Sequence, residues 1–430
     1  MINKKNNANS GDYVEVSMVK KTYSGFLLET PKDEPGIILL KLDTGYNIGL
    51  IKKDILEIKV IKKFSEKNED KKIPLSNEKP NICLIITGGT IASKYDTQKG
   101  GVSPLSKPGD FFKSYPKFFN KVNVLKLEIP FMKASEDLEP KDWQKIAKIT
   151  EKALNDENIK GVVITHGTDT LHYTSAALSF FLKNLNKPVV LTYSQRSIDR
   201  ASSDADLNLQ CSALAAISDI AEVFLVGHAT LNDDYCYALR GCNVLKLNTS
   251  RRDAFKPVND FPIAKIYPDR IDILSDFKIR NKKTVKLDLK FEEKVALIKL
   301  YPGQNPDILD YYYKEGYKGL VLEVTGLGQV PGKKWINKIK ELQKKEIIIC
   351  AAAQNLYGRL DPLVYSNGRE LLKSGVIFLE DMLSTTALVK LGHVLGHEEW
   401  AKDKETVKEK MLSNFSGEIF KKIPLINPND

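Results

Sequence analysis

The sequence predicts an α/β protein whose two-domain core is built on a parallel sheet and is preceded by a small β-barrel. Three observations predict it. From Asn81 onward, short apolar runs alternate with helix-length segments, which is the texture of parallel strands joined by helices. Before that, Gly11–Val60 alternates apolar and polar residues in short runs separated by close turns. Between the two, Lys62–Pro80 carries ten charged residues and two prolines and reads as a linker.

The chain has 430 residues, too many for one small core. Its apolar content is 42%, and no apolar run reaches membrane-spanning length, so a soluble protein with no membrane partner is expected. Met1–Ser10 is polar and asparagine-rich, reads as a disordered tail, and lacks the apolar segment of a secretory signal. The cytoplasm is the expected location. Cys83, Cys211, Cys236, Cys242 and Cys350 form no C-x-x-C pair, and several lie in apolar runs, so buried free thiols are expected. The net charge is +10, but lysine supplies nearly all of it, arginine is absent before Arg196, and glutamate is interleaved. Spread lysine reads as a solvated surface rather than a nucleic-acid face.

Taken in order, Tyr13–Val19, Tyr23–Glu29, Gly36–Leu42 and Asn47–Lys52 are the strands of an SH3-like barrel over 11–61, with the linker over 62–80. The first α/β domain spans 81–275. It opens on the buried strand Ile82–Ile86, followed by a strand over Val122–Ile129 and a helix over Asp142–Leu154 with Pro140 as its start signal. Gly161–Thr165 is a buried strand, Leu171–Leu185 an apolar helix, Pro188–Thr192 a strand, Asp204–Ser218 a helix and Ala221–Val226 a strand. A connection over 276–293, with a hairpin near Lys283–Lys290, leads to the second domain over 294–430. That domain holds strands at Val295–Leu300, Leu320–Val324 and Glu346–Ala352, and helices at Lys334–Lys344 and Ser384–Leu395.

Two strand ends carry chemistry. Ile82–Ser93 runs from apolar residues into Thr87-Gly88-Gly89-Thr90, and Gly161–Leu171 runs into Thr165-His166-Gly167-Thr168-Asp169-Thr170. Ligands of an open parallel sheet sit outside the carboxyl ends of its strands, so Thr90, Thr168 and Asp169 are expected around one crevice. Asp169 also fits a helix N-cap. A threonine hydroxyl is a weak nucleophile and needs a positioned base. Asp169 orienting a desolvated lysine would complete a nucleophile–base–orienter set, although the residues alone do not choose the lysine. His166 is expected to orient its loop. His393 and His397 are four apart on a helix, but no third ligand stands at a recognisable distance, so no metal site is assigned.

Thr87–Ala92 (TGGTIA) and Thr165–Thr170 (THGTDT), about eighty residues apart, resemble the two signature segments of the L-asparaginase/glutaminase amidohydrolase family. The resemblance covers Asn81 to about Gly396. It implies an asparaginase-like two-domain fold, Thr90 as the nucleophile, and Thr168 with Asp169 as a second catalytic group. Lys256, in Arg252–Pro257, looks like the family's active-site lysine. Ser135, in Ala134–Asp137, looks like the residue that holds the substrate's α-carboxylate, with Glu136 or Asp169 near the α-amine. Gly89 and Gly167 belong to the substrate-binding turns, whose N–H groups would form the oxyanion hole. The resemblance also implies a homodimer core.

The N-terminal region narrows this. Gly11–Val14, Tyr23–Gly25 and Leu40–Gly49 resemble the barrel of one branch, the D subunits of archaeal glutamyl-tRNA(Gln) amidotransferases, and Asp381–Leu383 with Ala387–Leu391 resembles its last helix. That branch implies a glutaminase that passes ammonia to a partner, the E subunit of the same enzyme, in a heterotetramer. The tRNA would be held mainly by the partner, which would also use ATP and magnesium, leaving no cofactor in this chain. The alternatives are a free-standing L-asparaginase with an accessory domain and a non-catalytic scaffold subunit. Two positions depart from the family. In Lys94–Val102, Tyr95 is displaced and Thr97 stands where a catalytic tyrosine is expected; Ser384-Thr385-Thr386 replaces the usual Pro-Glu-Thr.

Overall fold

A computed structural model describes residues 8–28, 35–42, 47–63, 76–95, 102–104, 115–198, 200 and 202–422. The expected tail over 1–7 and most of the expected linker, 64–75, lie outside the described residues.

The N-terminal strands Tyr13–Met18, Thr22–Leu27, Ile37–Leu42 and Asn47–Ile51 lie close to their expected places, and a fifth, Ile55–Lys62, extends into what reads as linker. They form one antiparallel sheet, in which the last strand returns to pair with the first. No pairing that would close the sheet into a barrel is seen among the described residues. Alternation aims Val14, Val16, Leu27, Leu40, Leu50 and Ile55 into a shared core.

The first α/β region holds an eight-stranded sheet. From one edge its strands are Ile271–Ile273, Ala264–Ile266, Cys236–Arg240, Val223–His228, Val189–Thr192, Val162–Thr165, Asn81–Ile86 and Asn123–Glu128. The last five are mutually parallel. The first three run antiparallel to their neighbours, an extension of the sheet that the sequence reading does not contain. Both faces are covered along Val223–His228, Val189–Thr192, Val162–Thr165 and Asn81–Ile86, which is why these four are near-continuous apolar runs. Along Asn81–Ile86, Ile82, Leu84 and Ile86 enter one core with the helix Ala205–Ala216, while Cys83 and Ile85 enter the other with the helices Pro140–Leu154 and Leu171–Phe181.

The second region is a four-stranded parallel sheet in chain order: Val295–Lys299, Gly319–Val324, Ile348–Ala353 and Ile377–Phe378. The helix Gly332–Gln343 covers one face, and Ser384–Leu395 with Lys404–Leu412 covers the other. Ser384–Leu395 also packs on Leu171–Phe181, where the His393 and Phe180 rings stack with centroids 6.1 Å apart. The two α/β regions therefore share a helical seam. All five cysteines are buried free thiols.

Candidate active site

The crevice is built from two neighbouring strand ends. Ile86 stands opposite Thr165 at the end of the parallel pair. Thr87 is consumed by this junction: its N–H and its hydroxyl both donate to Thr165 O, at 3.2 and 2.8 Å. The chain then needs two glycines. Gly89 has φ +78°, and a Cβ there would stand 2.5 Å from Gly167 Cα, so the two turns touch backbone to backbone. A tight turn over Thr90–Ala92 follows, closed by the Ser93 hydroxyl donating to Gly89 O at 2.8 Å. Thr90 is left half-buried at the lip.

The second turn is fixed from below and from the side. His166 is fully buried; its Nδ1 lies 2.7 Å from Gly167 O and its Nε2 2.9 Å from Thr174 Oγ1. The carbonyl can only accept, so Nδ1 carries the hydrogen and Nε2 accepts from the threonine. Burial lowers the pKa of this imidazole to about 4, and it serves to orient the loop. From the side, Ser135 Oγ accepts from the N–H groups of Asp169 and Thr170 at 3.2 and 3.4 Å, and Thr170 donates back to Ser135 O at 2.5 Å. A Cβ at Gly167 would stand 2.8 Å from Ser135 Cβ. Ser135 is thus buried against the turn, while Glu136 beside it is exposed.

A third element delivers the cation. The hairpin Val244–Lys246/Phe255–Pro257 brings Lys246 Nζ to 2.8 Å from Thr168 Oγ1 and 2.7 Å from Asp169 Oδ1. Its side chain is 9% exposed, whereas Asp169 is 61% exposed and opens onto the crevice. The expected lysine, Lys256, is elsewhere. Its ammonium donates to Ala229 O at 2.9 Å and to Asp253 Oδ2 at 3.0 Å. The register explains the correction: Lys246 is paired with Phe255, and Lys256 with Leu245. Residues directly opposite share a face and successive residues alternate, so the two lysines leave the hairpin on opposite faces. One signal separates them in sequence. Lys256 has Asp253 three residues away, whereas no acidic residue lies within four positions of Lys246, so its counter-charge must come from elsewhere in the fold.

The arrangement can polarise a hydroxyl. Lys246 bridges Thr168 to a carboxylate, and the Gly89–Gly167 contact puts the turn that continues into Thr90 against the turn that continues into Thr168. Such a constellation suits attack on, and hydrolysis of, an acyl group.

The chain matches known families over most of its length. Residues 81–278 match the asparaginase N-terminal family, 294–411 the glutaminase/asparaginase C-terminal domain, and 8–61 the GatD N-terminal domain. It is 46% identical to the D subunit of glutamyl-tRNA(Gln) amidotransferase from Pyrococcus furiosus, across 97% of this chain and 96% of that protein. The chain belongs to the family of glutamyl-tRNA(Gln) amidotransferase D subunits.

Another member, from Methanococcus maripaludis, is 40% identical across 96% of this chain and 99% of its own length. Among solved structures, the thermostable L-asparaginase of Thermococcus kodakarensis superposes with a TM-score of 0.70 at 31% identity, covering 80% of this chain and all of that one. The L-asparaginase I of Vibrio cholerae gives 0.68 at 28% identity, again over 80% of this chain and 99% of that one. The D-subunit family thus carries an asparaginase core and a further N-terminal domain.

In this family member the segment after Thr90 begins as a hairpin, Ser93–Tyr95 paired with Val102–Pro104. Residues 96–101, with Thr97, and the Tyr95 side chain lie outside the described residues. The two histidines four apart do meet a third group, Asp288 from the connection. His397 Nε2 is 2.8 Å from Asp288 Oδ1, and His393 Nε2 is 3.6 Å from Oδ2. Lys183 Nζ stands 3.5 Å from His393 Nε2 and 3.9 Å from the carboxylate, so a protein cation already supplies the positive charge there. The cluster ties the connection to the last long helix.

Proposed function

We propose that this chain is the glutaminase subunit of a tRNA-dependent amidotransferase. Thr90 Oγ attacks Cδ of glutamine, the C–N bond breaks, and the hydroxyl proton leaves with the nitrogen as ammonia. The glutamyl ester on Thr90 is then hydrolysed by a water that gives its proton to the Thr168–Lys246–Asp169 group, releasing glutamate. The N–H groups of the two glycine turns receive the developing oxyanion. Ser135 and Glu136 border the place of the substrate's α-carboxylate and α-amine. The ammonia passes to a partner, the E subunit, which uses ATP and magnesium to activate glutamate on tRNA. Ammonia released into water at neutral pH is largely protonated and then cannot attack, so delivery within a complex keeps it in its reactive form, whereas a large excess of added ammonium supplies enough free ammonia by mass action.

The observation that carries the chemistry is the bond pair from Lys246 to Thr168 and Asp169, set against the Thr90 turn by the Gly89–Gly167 contact. Support for the partnered role comes from the D-subunit relatives and from the match of residues 8–61 to the GatD N-terminal domain. The experiment is Thr90→Ala in the complex. Glutamine-dependent amidation should disappear and ammonium-driven amidation should survive. Rapid asparagine hydrolysis by the isolated chain, or loss of both amidations in the variant, would overturn the reading.

A further inference from the structure

The hairpin Val244–Lys246/Phe255–Pro257 belongs to neither large sheet: among the described residues its two strands pair only with each other. Its ladder of three residue pairs is extended by Leu247 N–H to Ala254 O at 2.7 Å and by Val258 N–H to Asn243 O at 2.8 Å. A two-stranded ribbon of that length is marginal alone and takes its position from what grips it. The place of Lys246 is therefore set by contacts made elsewhere on the hairpin.

One residue grips the hairpin at two points. Tyr193 directly follows the strand Val189–Thr192, is fully buried, and lays its ring against that of Phe255 with centroids 4.6 Å apart. Phe255 is the cross-strand partner of Lys246, so the two side chains share a face of the hairpin. The Tyr193 hydroxyl donates to Arg252 O at 3.0 Å, in the loop that joins the two strands. Tyr193 is held in turn. Its own carbonyl accepts from Asn208 Nδ2 at 2.9 Å, and a Cβ at Gly227 on the neighbouring strand would stand 2.5 Å from its phenol oxygen. The strand it follows lies beside the Thr168 turn: Thr192 pairs with Thr165, and Thr192 O accepts from His166 N–H at 3.0 Å. The hairpin loop is fixed from its other side by the Arg252 guanidinium, which donates to Leu231 O and stands 2.7 Å from Asp233 Oδ1.

We propose that Tyr193 is a positioning residue for Lys246, tying the hairpin that carries the lysine to the strand beside the Thr168 turn, with Arg252 as the second anchor of the same loop. This rests on the proposed role of Lys246 in serving Thr168. The Tyr193 ring sets how far Phe255, and with it Lys246, stands from the large sheet. Its hydroxyl sets where the loop end of the hairpin lies. Lys246 has to meet Thr168 Oγ1 at 2.8 Å and Asp169 Oδ1 at 2.7 Å together, and a small swing of the hairpin breaks that fit.

The test uses the full chain, in its complex, with Tyr193→Phe and Arg252→Gln, each alone and each combined with Lys246→Met. Phenylalanine keeps the ring against Phe255 and removes only the hydroxyl; glutamine loosens the loop from Asp233 and leaves Tyr193 in place. Each single variant is expected to lower kcat for glutamine on the order of tenfold at unchanged KM. Neither is expected to lower the residual turnover of Lys246→Met further, because a residue that acts through the lysine has nothing to place once the lysine is gone. Wild-type kcat in Tyr193→Phe would overturn the proposal. So would a raised KM at unchanged kcat, or a loss by the same factor with and without Lys246, which is what a packing role alone produces. If Tyr193→Phe does not fold, the Arg252→Gln pair decides by the same criteria. If Lys246→Met keeps wild-type turnover, the functional reading itself has failed; if it is impaired while the Tyr193 and Arg252 variants are flat, only this inference has failed.

Discussion

Lys246 and Lys256 stand on the two strands of one three-residue hairpin, one register step apart, and serve opposite faces of it. Lys246 reaches Thr168 and Asp169, while Lys256 reaches Asp253 and the Ala229 carbonyl. Lys246→Met is expected to lower glutamine turnover by about 10²–10⁴, the usual worth of a positioned proton-transfer group. Lys256→Met is expected to keep most of that turnover. Its cost falls on stability, about 1–2 kcal/mol, because Asp253 keeps its Arg251 partner. Steady-state kinetics and urea unfolding of the two variants check this; an inactive Lys256→Met with an active Lys246→Met would reverse the assignment.

Gly89 and Gly167 meet without room for a side chain on either. Gly89→Ala places a methyl 2.5 Å from the Gly167 backbone in a left-handed conformation, and Gly167→Ala drives one into Ser135 at 2.8 Å. Each substitution must push the Thr90 turn away from Thr168. A displacement near 1 Å costs about 10²-fold in rate, so both variants are expected to be severely impaired even where thermal unfolding shows them folded. Near-normal turnover in either would show that the contact does not set the geometry.

His166 makes the fold acid-sensitive. The unfolded chain takes up a proton at the ordinary histidine value of 6.5, whereas burial delays protonation in the folded state to about 4. Falling pH therefore favours the unfolded chain between those values. The neutral imidazole contributes fully above about pH 6.5, and roughly 3 kcal/mol is withdrawn as pH approaches 4. His172, lowered to about 4, and His393, lowered to about 3, act in the same direction. Denaturant midpoints measured from pH 7 to pH 4 should fall steadily. His166→Asn should shallow that decline by about one proton's worth; an unchanged slope would assign the sensitivity to other groups.

Lys390 and Glu418 form an ion pair at 2.7 Å with both side chains fully buried, and the ammonium also bonds Met411 O at 2.9 Å and Ser413 O. Lys390→Met leaves a buried carboxylate and two carbonyls short of a donor. A loss of about 3–5 kcal/mol is expected, with Lys390→Met/Glu418→Gln recovering part of it. Equal losses in the single and double variants, read from chemical denaturation, would show that the pair is not coupled.

Both glycine turns, Thr90, Thr168 and Asp169 were legible from composition at strand ends. An apolar run that stops at Gly-Thr has few structural readings, and parallel sheets gather such ends at one edge. The helices Pro140–Leu154 and Ser384–Leu395 were legible for a similar local reason, since their periodicity and start signals lie within a dozen residues. The antiparallel extension of the large sheet was not, because strands of three residues at Ala264–Ile266 and Ile271–Ile273 are too short to show a period.

The sequence by itself determined the α/β class, the order of the long strands and helices, and the two threonine turns, because strand length, turn chemistry and burial pattern are written in consecutive residues. Only the tertiary structure decided which lysine meets Thr168 and Asp169, which N–H groups Ser135 receives, and that His172 is buried with its Nδ1 unpaired. Those depend on hairpin register and helix placement, where a shift of one residue exchanges the two faces of a strand. No local pattern records that choice, because it is made by packing between segments some eighty residues apart, as between Thr168 and Lys246.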